Sequence, residues 1–183
     1  MKLSTTSMWY NRPLSELVNH LEQMHQYYYK EKIPKIQQLL KETMDIHGEY
    51  TLMFNHLLDT FISFKAEKET HFKKEEQVLF SYIFQLENYK QNGGIKPTIQ
   101  FDSIKNPISQ IEYDHEKLEH GLLDKMREIT SDYLLISNAS DVFLELYKNL
   151  KDLESELKEH MFLETEILFP KAIELELSIL HGK

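Results

Sequence analysis

The chain has 183 residues, enough for one domain with a substantial core. Thirty acidic against 21 basic side chains give a formal charge of −9, which argues against nucleic acid or an anionic membrane as a main partner. The lack of cysteine excludes disulfides, thiolate metal sites, cysteine-ligated clusters and cysteine nucleophiles. The opening MKLSTTSMWYNRP has no signal-peptide apolar core, and no run approaches ~18 apolar residues, so a soluble, cytoplasmic protein is expected.

Residues 1–12 read as a loose N-terminal arm. Asn11 or Arg12 before Pro13 opens a first helix over roughly 13–45, since proline costs nothing in a first helical turn. Leu14, Leu17, Leu21, Met24 and Tyr28 follow the 3/4 spacing of one helical face, and Ile33, Ile36, Leu40 and Met44 continue it to His47-Gly48. Pro34 lies inside this pattern and is expected to kink or interrupt it. From about residue 50, Phe54, Leu57, Leu58, Phe61 and Phe64 lead through His71 and Glu75 to Leu79, Tyr82 and Leu86. Asn92-Gly93-Gly94 should end that helix.

A long loop over 93–105 precedes Asn106-Pro107, an N-cap and first-turn pair for the third helix. Its inner positions read Ile108, Ile111, His115, Leu118, Leu122, Met126, Ile129 and Tyr133. After a turn at 134–140, Ser140-Asp141 caps the fourth helix. Its stripe of Val142, Leu146, Leu150, Leu153, Leu157, His160, Glu164 and Ile167 should stop at Pro170. The expected fold is all-α, an up-and-down four-helix bundle over 13–170 with a C-terminal tail at 171–183.

Two stretches repeat. Residues 71–80, HFKKEEQVLF, and 160–169, HMFLETEILF, both fit His-x3-Glu-x2-(Val/Ile)-Leu-Phe. His71 and Glu75, like His160 and Glu164, stand one helical turn apart on an otherwise apolar face. Burying two carboxylates without a cation is costly, so a metal pair is expected beside them. His25 and His115 fall on the inner stripes of the first and third helices, completing a ring of imidazoles and carboxylates from all four.

Such donors suit iron, zinc or manganese, with glutamates bridging and histidines terminal. A ferritin-like site would need two Glu-x-x-His motifs, and Glu112-x-x-His115 is the one match on a core stripe. Alone, a His-x3-Glu pair is ordinarily a surface feature and a core histidine ordinarily a hydrogen-bonded one. Duplication on core stripes is what points to metal. His20, His56, His120 and His181 read as helix-edge, exposed or tail residues, and Tyr27, Tyr28 and Tyr29 as packing. Glu67 and Glu156 each precede a ligand histidine by four, as acceptors that orient an imidazole or as exposed charges.

With these residues in place, the chain resembles the iron–sulfur cluster repair di-iron proteins, a hemerythrin-like family. The resemblance spans about residues 14–170. It rests on HQYYYKEKIP at 25–34, DIHG at 45–48, the two repeated stretches, and NPI…EYDH at 106–115.

It implies a hemerythrin-like bundle holding two non-haem iron ions, carboxylate-bridged with or without an oxo bridge. Glu75 and Glu164 would be the bridges, and His47, His71, His115 and His160 terminal ligands. Where the family has its helix-1 ligand this chain has Gln26, with His25 one residue earlier and ~100° around the helix. Either His25 turns inward or the position lacks a histidine.

The implied role is repair of iron–sulfur clusters damaged by nitric oxide or oxidants, a stress response in which the site supplies iron. Iron–sulfur client proteins would be its partners, without nucleic acid or membrane, and the chain a monomer or dimer. The alternative is a module that binds or senses dioxygen or nitric oxide. Neither is a conventional enzyme, although redox or nitric oxide chemistry at the iron pair stays open. The cysteine-bearing N-terminal domain of many family members is expected to be missing.

Overall fold

The computed structural model describes residues 8–98 and 102–181, apart from the side chain of Glu119. The remainder of the expected arm (1–7), of the 93–105 loop (99–101) and of the tail (182–183) lies outside the described residues. The fold is all-α, with no strand among the described residues and four long helical runs at 14–46, 51–92, 105–129 and 141–180. Among the described residues, no helix is long and apolar enough to cross a membrane.

Each run contains one π-helical segment: Tyr28–Lys32, Glu75–Phe80, Glu119–Leu123 and Glu164–Leu168. These wide turns explain why two prolines fail to stop their helices. Pro34 and Pro170 each stand in the first turn of the α-helix that resumes after a π segment, Ile33–Ile46 and Phe169–Leu180. A proline cannot donate to the carbonyl four residues back, and its ring crowds that carbonyl. A turn already wound wider than the α spacing gives that carbonyl room.

The first run therefore continues past Pro34. The fourth continues past Pro170 to Leu180, so residues 171–180 are helix rather than tail. The second run ends as expected, at Gly93 with φ of 71°. The third begins at Lys105, ahead of the expected Asn106 cap, with the Ser103 hydroxyl accepting the Lys105 N–H at 3.3 Å. Ser140 does cap the fourth run, accepting the Phe143 N–H at 3.3 Å.

The contacts divide the chain into two compact units. The first comprises Met1–Met24, His71–Asp114 and Glu159–Lys183. Its core includes Leu17, Val18, Leu21, Leu79, Phe80, Ile83, Leu168 and Phe169, all buried. Each such side chain contributes about 1.5–3 kcal/mol relative to exposure.

Residues 8–12 are not a loose arm. Trp9 is buried, and the Lys171 ammonium donates to the carbonyls of Trp9, Tyr10 and Arg12 at 3.3, 2.9 and 2.7 Å. Glu87 caps the first run from a distance in sequence, accepting the N–H groups of Leu14 and Ser15 at 2.8 and 3.2 Å. Buried Glu176 accepts from Tyr82 Oη at 3.1 Å, Ser103 Oγ at 2.8 Å and the Ile104 N–H at 3.0 Å. Burial and that carboxylate push the Tyr82 phenol up to about 12.

The second unit comprises His25–Thr70 and His115–Lys158. Phe143 packs against Phe54 and Tyr147 with ring centroids 5.5 and 4.5 Å away. Lys32, 5% exposed, reaches Glu156 at 2.9 Å. The third run ends at Ile129, short of the expected stripe residue Tyr133. Ser131, Asp132 and Tyr133 all adopt positive φ, yet Tyr133 stays buried, its hydroxyl donating to Glu154, which also takes Arg127 Nε at 2.8 Å.

Candidate metal centre

His71 lies in the last turn of Thr51–Lys74, and Glu75 is the first residue of the π segment that follows. The second copy is built alike, with His160 near the end of Asp141–Leu163 and Glu164 opening the next π segment. Both carboxylates are fully buried, 0% exposed. In each copy the histidine contacts its own glutamate, but through different nitrogens. His71 Nε2 lies 2.7 Å from Glu75 Oε1, and His160 Nδ1 lies 3.1 Å from Glu164 Oε2.

Two groups of buried side chains each offer ligand atoms within 4.8 Å of one another: His25, Glu75, His160 and Glu164, and His71, Glu75 and His115. Glu75 belongs to both. The ambiguity on the first helix resolves at the level of burial. His25 is fully buried, and Gln26 is exposed.

The structure does not bring His47 to either group. The helix holding His25 runs on to Ile46 without bending back, which puts the two histidines ~33 Å apart along it at 1.5 Å per residue. His47 instead caps that helix and contacts Ser140, with Nε2 at 3.0 Å from the hydroxyl and 3.3 Å from the backbone nitrogen.

The donor set fits a metal. It offers neutral-capable imidazole nitrogens and two carboxylates with no exposure to water, a mixture that suits divalent iron, zinc or manganese. Two carboxylates buried this close can both be ionised only with positive charge between them. The ferritin-like alternative loses Glu112-x-x-His115, because Glu112 is exposed, and in the further match Glu22-x-x-His25 the glutamate belongs to neither donor group. Glu67 also faces outward, 42% exposed and paired with Lys117 at 3.5 Å, whereas Glu156 holds Lys32. His56, His120 and His181 are exposed. His20 is half-buried and stacked on Trp9 at 5.0 Å, and its burial lowers its proton affinity.

One participant has no sequence signal. Asp114 Oδ2 lies 3.8 Å from His71 Nδ1, the ring nitrogen turned away from Glu75. Partial burial works to raise the Asp114 carboxyl, but hydrogen bonds from Lys74 and Gln110 and the charges of Lys74 and His71 hold it below the usual carboxylate range. Its neighbour in sequence is His115, but its partner is on the second run, a tertiary relation that periodicity cannot reveal.

The hemerythrin HHE cation-binding domain matches residues 16–172. The chain is 27% identical over 165 residues to the iron–sulfur cluster repair protein YtfE of Edwardsiella ictaluri, covering 90% of this chain and 68% of that protein. It is 26% identical to the protein of that name from Escherichia coli O81 (strain ED1a), covering 90% and 69%, and 24% identical to that of Salmonella schwarzengrund, with the same coverage. Buried His-x3-Glu pairs on two helical runs and a match over most of the chain lead to one assignment: this protein belongs to the hemerythrin HHE cation-binding family.

Proposed function

We propose that the chain is a non-haem di-iron protein that restores iron–sulfur clusters damaged by nitric oxide or oxidants, with iron as the cargo it lends to client proteins. The observation that carries the reading is Glu75, fully buried and common to both donor groups, the position of a bridge between two metals. The relatives bearing the repair name support the role.

In this reading Glu75 would serve both metals, with His25, His160 and Glu164 holding one and His71 and His115 the other. Iron held there would supply redox and gas-binding chemistry. The chain's part is to fix the imidazoles and carboxylates on four helical runs and to keep bulk water from both glutamates. His47 has a structural task, joining the end of the first run to the start of the fourth through Ser140.

The test is metal content with an ultraviolet–visible spectrum, then transfer. Protein made in iron-supplemented medium should carry about two irons per chain and restore activity to an iron–sulfur enzyme treated with nitric oxide. One zinc per chain, or none of either metal, would overturn the di-iron reading. Iron at that ratio without restored activity would overturn the repair role. A second reading, reversible binding of dioxygen or nitric oxide, is favoured by the three-residue group, which leaves more coordination positions open than the four-residue one. A stable nitrosyl spectrum without iron transfer would establish it.

A further inference from the structure

His71 is held at both ends of its ring by carboxylates. Nε2 lies 2.7 Å from Glu75 Oε1 and Nδ1 lies 3.8 Å from Asp114 Oδ2. The first contact faces the donor groups. The second does not, because Asp114 belongs to neither. Asp114 is itself anchored, by Lys74 Nζ at 3.0 Å on the oxygen that faces His71 and by Gln110 Nε2 at 2.9 Å on the other.

We propose that Asp114 is a positioning residue for His71, and that Lys74 sets its strength by competing for the same carboxylate oxygen. The proposal rests on the metal-centre reading. An imidazole that ligates through Nε2 must carry its proton on Nδ1, and an acceptor at Nδ1 fixes that tautomer and makes the opposite nitrogen a better donor. At 3.8 Å the contact is a charge contact, beyond hydrogen-bond length. Its strength therefore depends on how much of the Asp114 charge remains available. Lys74 neutralises part of it through Oδ2, whereas Gln110 orients the group without cancelling charge. The two repeated stretches are thus wired differently, since in the second copy Nδ1 of His160 contacts that copy's own Glu164.

Opposite signs for two neighbouring substitutions set this apart from a purely structural salt bridge. Asp114→Asn removes the charge that favours Nδ1–H. Lys74→Met removes the competitor and leaves that charge to His71. Lys74 is 48% exposed and lines a cavity of about 420 Å³ with Val78, Pro107, Gln110 and Ile111, so the shorter apolar side chain fits without crowding.

The experiment measures Fe²⁺ affinity by competition with a coloured chelator, and Zn²⁺ affinity by calorimetry, for the full chain and for Asp114→Asn, Asp114→Glu and Lys74→Met. Melting of each metal-free protein monitors the fold. Asp114→Asn should weaken both metals by up to about 10-fold, the low end of the effect of losing an outer partner of a ligand histidine, because the contact is longer than a hydrogen bond. Asp114→Glu should recover part of that, and Lys74→Met should bind more tightly than the unaltered chain.

Unchanged affinity in Asp114→Asn overturns the proposal. So does a loss of affinity in Lys74→Met matching that of Asp114→Asn, which is what loss of a merely structural bridge would give. If Asp114→Asn does not fold, the sign of the Lys74→Met effect still decides. An unaltered chain that binds neither metal overturns the metal-centre reading itself, a different result from normal binding that the variants leave unmoved.

Discussion

Replacing Glu75 with glutamine keeps the shape of the side chain and removes one of two buried carboxylates, whose charges repel when both are ionised. Ligand oxygens of Glu75 and Glu164 lie within 4.8 Å of each other, and both residues are 0% exposed. At that separation and an effective dielectric of about 20, two unit charges repel by about 3.5 kcal/mol. If contacts from His71 and His160 offset half of this, about 1.7 kcal/mol of strain remains in the metal-free fold for the substitution to release. For a chain of this length each kcal/mol moves Tm by about 2–4 °C, so metal-free Glu75→Gln should melt about 3–7 °C higher than the unaltered protein.

With metal the sign reverses. Glutamine is a poor bridge and both donor groups lose a member, so the rise in Tm on adding Fe²⁺ should shrink sharply. Differential scanning calorimetry with and without Fe²⁺, beside Glu164→Gln, reads both effects. Glu164 belongs to one group only, so its substitution should cost less of the metal-induced rise. A metal-free Glu75→Gln protein that melts lower, or one that keeps the full rise with Fe²⁺, would refute the reasoning.

Glu176→Ala leaves the Ile104 N–H and the hydroxyls of Tyr82 and Ser103 without their acceptor, and urea denaturation should show a loss of about 3 kcal/mol. A loss below about 1 kcal/mol would mean water replaces the carboxylate. Glu156→Ala strands the 5%-exposed Lys32 at a cost of about 2 kcal/mol, less than for a fully buried pair because Glu156 is 34% exposed. The double substitution Lys32→Met with Glu156→Leu should recover most of that in the same assay, and a double variant no better than Glu156→Ala would show that the charge was not the problem. Tyr82 keeps its proton up to about 12 in the folded chain but only to about 10 when unfolded, so folding stability is complete below pH 10 and falls as pH rises through that window. Tyr82→Phe should make the decline in a pH series of melts shallower, leaving the part due to Tyr147, whose phenol burial also raises to about 12, and to Tyr133, which burial and Glu154 likewise raise; an unchanged slope would count against this assignment.

The helical runs were legible because apolar residues recur at helical spacing, and the candidate metal-binding residues because His71, Glu75, His115, His160 and Glu164 interrupt that recurrence at core positions. The sequence left His25 and Gln26 as alternatives, because one residue of register separates them, and burial distinguishes them: His25 is buried and Gln26 is exposed. Three things were not legible. Asp114 acts on His71 from another run, and a lone aspartate beside a histidine carries no sign of which way it points. Residues 171–180 were hidden by Pro170, whose usual meaning as a stop is suspended by the π turn before it. His47 shares a motif with the family, but motif membership does not say what an imidazole at a helix end touches.

The four π segments bear on which changes of chain length this protein tolerates. A π turn carries one more residue than the α turn it replaces. Deleting a single residue within 75–80 or 164–168 would therefore restore regular α bonding locally, and backbone propensity alone would favour the loss. The same deletion would swing everything beyond it by ~100° and draw it in by ~1.5 Å. Leu79 and Ile83, or Leu168 and Ala172, would leave the face they share with Glu75 or Glu164, although no ligand had been altered. A substitution on an outer face of these runs leaves that geometry in place, whereas a change of residue count through Glu75–Phe80 or Glu164–Leu168 does not.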